Sequence, residues 1–452
     1  MSSPPAPKFV LRGHQAAVHA AAFLRDNERL ATGDAHGFVV LWDLVVMRAR
    51  AVWRAHEDAL LGLCGWGRDK MITHGRDHRL IVWQLAEGDE GRMSTALPLD
   101  GSAEERPQPW ILHVVEVNTM NFCSFAACAA DEGGSDTRLL GSSAEILVAV
   151  PNTLASEAVD IYSLPSQKRI HTIKPGSANG MAMSLSLLHH QGTLTLIAGF
   201  ENGTASVHRL CPSTGAWILT YRSQVHSQPI LSLDVRLDHG DHNHNHSFFT
   251  SGADAIIAKH PIPSTQQEIT TAPLVPDERV VQVVEPDADS PPRGTPSLLS
   301  RALHEDGRHV ATSQRDKPTP QKTLLQEWKH AKKVINTRHS GQQSLEVRSD
   351  GGIFATAGWD CKIRVYSCKT MRELAVLKWH KEGAYAVTFS HVGAPSSAVP
   401  RGGAERAGEI HEAVDMDVSR LSVTDRRSHR VRTTHWVAAG AKDGRVSLWD
   451  VY

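Results

Sequence analysis

The sequence predicts an all-β protein folded as a closed ring of seven small antiparallel sheets. Two observations carry that prediction. A short pattern of Gly-His, three apolar strands and Trp-Asp recurs along the chain. The two ends also complement each other, a lone strand at the start facing a unit of only three strands at the finish. At 452 residues the chain is long enough for several domains, so repeats are sought before domains are counted.

The first copy reads Gly13-His14, then apolar strands at Val18–Phe23, Arg29–Asp34 and Gly37–Asp43, the last ending Trp42-Asp43. The second reads Ala55-His56, Leu60–Cys64, Met71–Asp77 and Leu80–Trp83. Short runs of period two, separated by Gly, Asp and Asn, read as strands and turns. The GH…WD spacing is the signature of WD-repeat β-propeller blades. A physical reason stands behind it. A tight turn between the second and third strands places a carboxylate where it accepts backbone N–H groups. The leading His and a second-strand Ser or Thr then connect that Asp to the Trp. A buried polar relay of this kind is worthwhile only when every member is satisfied. Blade one offers His14, Thr32 and Trp42, with His36 at the turn position; blade two carries the full set, His56, Thr73, Asp77 and Trp83.

Weaker copies follow. Ser156 stands at the Asp position ahead of Val159–Tyr162, and Asn202 leads to His208. Asp254 leads to His260, where Trp is expected. His339, Thr356, Asp360 and Tyr366 form a good copy, and His380, Asp443 and Trp449 form the last. Third strands therefore centre near residues 41, 82, 161, 207, 258, 365 and 448. Seven blades of roughly 40–45 residues need about 300 residues, and six or eight blades remain the alternatives. A single propeller is expected over 8–452, with a flexible terminus at 1–7. The strand beginning at Lys8 is expected to pair into the C-terminal blade, leaving no long open edge.

The remaining length falls into polar insertions at 86–109, 131–143, 264–337 and 391–433, expected to be mobile or disordered. The third contains a polar segment, Leu324–Lys333, of mild helical character. Basic and acidic residues balance at 48 and 49, so net charge argues for neither nucleic acid nor an anionic membrane as the main partner. No apolar run approaches ~18 residues, and the opening lacks a secretory core. Six cysteines without a C-x-x-C pair suit a reducing compartment.

Candidate chemistry is sparse. His239, Asp241, His242, His244 and His246 could gather zinc or nickel, but their spacing fits no closed site and a solvated loop is the favoured reading. Arg420, Arg426, Arg427, Arg430 and Arg432 are diluted by Asp415, Asp417 and Asp425 and lack aromatic interleaving, which favours a solvated face over nucleic-acid binding. Ser290-Pro291, Thr295-Pro296 and Thr319-Pro320 are candidate phosphorylation sites or simply Pro-rich spacer. No nucleotide, metalloprotease or nucleophile-elbow motif occurs, so no catalytic residue, cofactor or metal is expected.

Further stretches narrow the reading. Phe9–His14, Trp53–Asp58, Thr73–Trp83, Val117–Cys123, Ser227–Asp234, Ser251–Pro261 and Ala357–Tyr366 together resemble the fungal ASTRA-associated WD-repeat family, itself similar to the animal G-protein β-subunit-like family. The resemblance spans the repeats but not the insertions at 264–337 and 391–433. It implies a nuclear, non-catalytic scaffold in chromatin remodelling and kinase maturation. The implied partners are ASTRA subunits, RuvB-like ATPases and factors maturing phosphatidylinositol-3-kinase-like kinases, with no direct contact to nucleic acid or membrane. The alternative is a histone-peptide reader or substrate adaptor at the channel mouth, to which Trp359 and Trp66 could contribute, although packed core is the favoured reading of each.

Overall fold

The computed structural model describes residues 6–101, 106–118, 120, 122–131, 145–237, 246–263, 330–393 and 422–451. Within them the strands form seven four-stranded antiparallel sheets. A lone β1 (Phe9–Arg12) comes first. Blade one is β2 (Val18–Leu24), β3 (Arg29–Asp34), β4 (Phe38–Asp43) and β5 (Arg48–Arg54). Blade two is β6 (Leu60–Trp66), β7 (Lys70–Gly75), β8 (Arg79–Gln84) and β9 (Trp110–Glu116). Blade three is β10 (Ala126–Ala129), β11 (Ile146–Pro151), β12 (Val159–Leu164) and β13 (Lys168–Ile173). Blade four is β14 (Ala182–His190), β15 (Thr193–Phe200), β16 (Thr204–Leu210) and β17 (Trp217–Gln224). Blade five is β18 (Ile230–Arg236), β19 (Ser247–Gly252), β20 (Ile256–Pro261) and β21 (Lys333–Asn336). Blade six is β22 (Gln342–Val347), β23 (Ile353–Gly358), β24 (Lys362–Ser367) and β25 (Glu373–Lys378). Blade seven has β26 (Ala384–Phe389), then helix α1 (Val423–Thr433), then β27 (Trp436–Ala441) and β28 (Arg445–Asp450).

The fold is the expected seven-bladed propeller, and each third strand lies at its expected position. The closure is also as expected. β1 pairs antiparallel with β28, from Phe9 opposite Leu448 to Arg12 opposite Arg445, and supplies the fourth strand of blade seven.

A single blade has two apolar faces and cannot bury either alone. Its neighbours do so. Trp53 and Leu41 of blade one pack with Leu60, Met71 and Trp83 of blade two. Leu11, Leu30 and Val40 pack with Trp436, Ala438 and Leu448, which seals blade one against blade seven. Equivalent apolar layers fill the other five junctions. The turns between second and third strands all lie at one end of the ring, here the upper face. A glycine there is forced by contact as well as by backbone. At Gly37 (φ 81°) an added Cβ would sit 2.0 Å from the His56 carbonyl of the next blade. Gly444 (φ 72°) presses on the His14 carbonyl in the same way.

Three expected insertions contain folded structure. Residues 333–336, assigned to the third insertion, form β21, the outer strand of blade five. Lys333, expected at the end of a mildly helical segment, instead pairs through its backbone with Lys259. Residues 423–433, assigned to the last insertion, form α1, capped by Ser422, whose hydroxyl accepts from Asp425 N. Most of 86–109 is a packed strap, described below. Residues 264–329 and 394–421, with the three Ser/Thr-Pro sites and Arg420, lie outside the described residues, as do His239, Asp241, His242 and His244.

Candidate protein-interaction site

The relay residues assemble blade by blade, with substitutions that spacing alone does not reveal. In blade two, His56 Nδ1 lies 2.8 Å from Asp77, its Nε2 lies 2.8 Å from Thr73 Oγ1, and Trp83 Nε1 donates to the same oxygen at 2.8 Å. Blade one repeats this through His14, Thr32 and Trp42, but its carboxylate is Asp34 and His36 takes no such part. Asp34 is fully buried at the end of β3, where Oδ1 accepts from His36 N and Phe38 N and Oδ2 meets His14.

Blade five has a longer chain. Asp254 meets His226 at 2.9 Å, His226 meets Thr250 at 2.8 Å, Thr250 meets His260 at 2.9 Å, and His260 reaches Tyr221 of blade four at 2.8 Å. An imidazole at the Trp position can receive as well as give, which lets the relay cross to the neighbouring blade. His226 and Tyr221 were not singled out from sequence.

Blade six departs most. His339 is only half-buried and 3.6 Å from Asp360, whereas Gln342 accepts from Thr356 Oγ1 at 2.8 Å and takes the place expected of the histidine. Asp360 is held by Arg364 at 2.6 and 3.0 Å, and the Tyr366 ring stacks on Phe354. In blade seven the hydroxyl comes from the third strand: Ser447 Oγ meets His380 Nε2 and Trp449 Nε1, both at 2.8 Å, while Asp443 lies 3.8 Å from His380. Blade three uses Asn152 and Asp160, 2.8 Å apart, rather than Ser156. These chains sit inside or between blades. They fix the turns of the upper face.

The strap from Ala86 to Gly101 lies across the outer edge of blade one. Ser94 O accepts from Val52 N of β5, and Leu99 N donates to Gly13 O. Its anchor is Glu90, whose side chain is fully buried and paired with Arg25, Arg29 and Arg50. Burial alone raises the Glu90 carboxyl; the arginines reverse this and hold it below its ordinary value.

The inner strands of all blades line a central channel of about 430 Å³. Its carboxylates tie neighbouring blades together. Asp234 accepts from Val347 N at 2.7 Å and Glu346 from Phe389 N at 3.0 Å. Around the upper mouth, Trp359 is 47% exposed and hydrogen-bonded to Gln343, and the His19 and Tyr385 rings lie 5.4 Å apart. Burial lowers the His19 pKa, opposed by Asp34 and reinforced by Arg76. On the blade-three side, Leu154 is 96% exposed, Met120 69%, and Phe122 lies under the Arg76 guanidinium at 4.3 Å. Trp66 is packed into the junction of blades two and three and is not at this mouth.

No group of three His, Cys, Asp or Glu among the described residues could hold a metal ion. Burial pushes the Cys64 and Cys128 thiols up to about 12. Half-buried Cys211 is lowered to about 7, chiefly by its contact with Ser213, a hydroxyl and not a base. No described helix is long and apolar enough to cross a membrane. The site is therefore an array of rigidly held turns with exposed apolar side chains, suited to contact with other proteins.

Comparison with known proteins agrees. The family described as "WD domain, G-beta repeat" matches residues 5–43 and 332–367. A protein of Pyricularia oryzae named ASTRA-associated protein 1 is 48% identical over all of this chain and 98% of its own length. Its namesake in Verticillium alfalfae is 47% identical over all of this chain and 94% of its own. The Schizosaccharomyces pombe protein of that name is 28% identical over 99% of both. Identity at this level across the whole length, on a matching repeat architecture, settles the family: this chain belongs to the ASTRA-associated protein 1 family of WD-repeat propellers.

Proposed function

We propose that this propeller is a non-catalytic scaffold subunit of the nuclear ASTRA assembly, which takes part in chromatin remodelling and in maturing phosphatidylinositol-3-kinase-like kinases. The observation that carries the reading is end-to-end similarity to proteins named for ASTRA association. The geometry supports it. The relay His, Thr and Asp side chains are engaged in holding turns, and apolar side chains stand exposed on that rigid frame. Scaffolds work in this way, a fixed platform presenting variable loops.

Its partners would be the other ASTRA subunits, RuvB-like ATPases and kinase-maturation factors, held by side chains and not through nucleic acid or a membrane. The test is purification of the tagged chain from native nuclear extract, followed by cross-linking and mass spectrometry. Recovery of those proteins, cross-linked to upper-face residues, is the expected outcome. Absence of all of them, or an exclusively non-nuclear chain, would overturn the proposal. The peptide-reader alternative loses Trp66, which is packed in the core and away from the channel mouth.

A further inference from the structure

The lower face of the ring carries an element that neither the fold nor the scaffold reading uses. Helix α1 is seated firmly there. Val431 is buried with the blade-one and blade-seven core, and Trp436 Nε1 donates to Val431 O at 3.2 Å. Arg432 pairs with Glu28 at 2.8 Å, and Asn27 Nδ2 donates to Arg432 O at 3.3 Å. Ser422 and Asp425 close its first turn. The helix is thus a fixed part of blades one and seven.

Its outward side is exposed and cationic. Arg426, Arg427 and Arg430 are all exposed and have no ion-pair partner among the described residues. The one acid of the helix, Asp425, is engaged in the cap. Arg426 and Arg430 stand four residues apart and so share one face, a like-charge spacing that weakens an isolated helix. The cost is met by tertiary anchoring, and the result is three guanidinium groups held at helical spacing. Such planar forks pair two-pronged with carboxylates or phosphates.

The surroundings choose between those anions. Nearby on blade one, Asp26 pairs with Arg68 and Glu28 with Arg432, so these neighbours are compensated and add no wider positive field, and the chain as a whole has a net charge of -1. A nucleic-acid duplex presents charge along a broad front and needs a broad basic surface, which three arginines on one helix do not supply. A narrow acidic peptide touches the helix alone. We propose that the outward face of α1, formed by Arg426, Arg427 and Arg430, is a docking site for an Asp/Glu-rich segment of a partner protein. The site would recruit or orient that partner from the side of the ring opposite the exposed apolar turns. It does not depend on which assembly the ring belongs to.

The test uses the full-length chain and a fluorescein-labelled peptide of alternating Glu and Asp, read by fluorescence anisotropy at low and at physiological salt. A Gln/Asn peptide of equal length and a DNA duplex serve as competitors. The wild type should bind the acidic peptide in preference to both. The variant R426Q/R427Q/R430Q should lose at least about fivefold in affinity, as expected for three exposed charge pairs, with an unchanged melting temperature. The variant R426K/R427K/R430K, which keeps charge but not the fork, should fall between them. Equal binding by the wild type and the Gln variant, or no preference over the Gln/Asn peptide, would overturn the proposal. Tighter binding of the duplex than of the peptide would overturn it in favour of a phosphate-backbone surface.

Discussion

Thr73 Oγ1 accepts from Trp83 and faces His56 Nε2 in a fully buried position, so one oxygen serves two buried nitrogens. Replacing it by Val keeps the shape and orphans both, at about 1–3 kcal/mol for each group. Thr73→Val is therefore expected to lower the denaturation free energy by roughly 2 kcal/mol or more, measured by urea unfolding. A loss within about 0.5 kcal/mol would mean that the relay is ornamental to stability. His74, the next residue, makes the opposite case. It is fully buried against Phe125, and neither ring nitrogen has a hydrogen-bond partner among the described residues. Burial pushes its pKa down to about 3, from 6.5. Between those values the unfolded chain takes up a proton that the folded chain refuses, so stability is lost as pH falls below 6.5. His74→Leu should be at least as stable as the wild type at pH 7.5, and its advantage should grow toward pH 5.5 by up to about 1.4 kcal/mol. A gap that stays constant across that range would refute the account. The sequence showed the strand that holds Thr73 and His74, and it showed the role of Thr73. It could not show His226, Gln342 or Ser447 in their relays. Their hydroxyl, amide and imidazole groups substitute for one another chemically, and only the fold reveals which atom arrives at the shared point.

At the scale of elements, legibility followed burial. Third strands such as β8 and β28 were readable because both faces are buried and a Leu or Val precedes the Trp near the strand's end, with only Ser447 interrupting the apolar run of β28. Outer strands such as β21 (exposed at three of four positions) and β13 have little burial to write into their residues. The strap is illegible in the sequence for a related reason. Its Glu, Gly and Asp content reads as a mobile loop, yet Glu90 is fixed by arginines 40 to 65 positions earlier in the chain. That pairing is long-range and leaves no local pattern. Arg25 and Arg29 are themselves nearly buried; Arg29 keeps Asp43 at 3.4 Å, so Glu90→Gln leaves Arg25 without its paired carboxylate. The expected loss is about 3–5 kcal/mol, with faster proteolysis within 86–101. Its pH dependence has a definite sign. The folded Glu90 carboxyl titrates below its ordinary 4.5, so its contribution is complete above that value and disappears as pH falls through the lower, folded one. Wild type and Glu90→Gln should thus converge in stability below pH 4.5. Parallel curves down to pH 3 would show that the pair, however well formed, is not what secures the strap.

The ring as a whole depends on a strand from the opposite end of the chain. Without β1, the last blade has three strands, and β28 loses the partner that runs from Leu448 to Arg445. Leu11, buried between blades one and seven with Leu30, Trp436 and Leu448, would leave a hole in that junction. The strap would lose Gly13 as an acceptor if the deletion disturbed its neighbour. Every other junction lies between blades that follow each other in sequence, so this one alone closes the circle. Stability in a stack of repeats is a sum of units and neighbour contacts, and opening a ring removes one contact from a set that is otherwise complete. Deleting residues 1–12 is therefore expected to lower the melting temperature by roughly 10 °C or more and to expose an apolar edge that promotes aggregation. Supplying residues 1–12 as a free peptide should recover part of the loss in a concentration-dependent way, because the peptide binds only the folded ring. An unchanged melt on deletion would show that six inter-blade contacts hold the circle without the seventh. In that case the terminal strand must be sought among the ring's interaction surfaces and not in its closure.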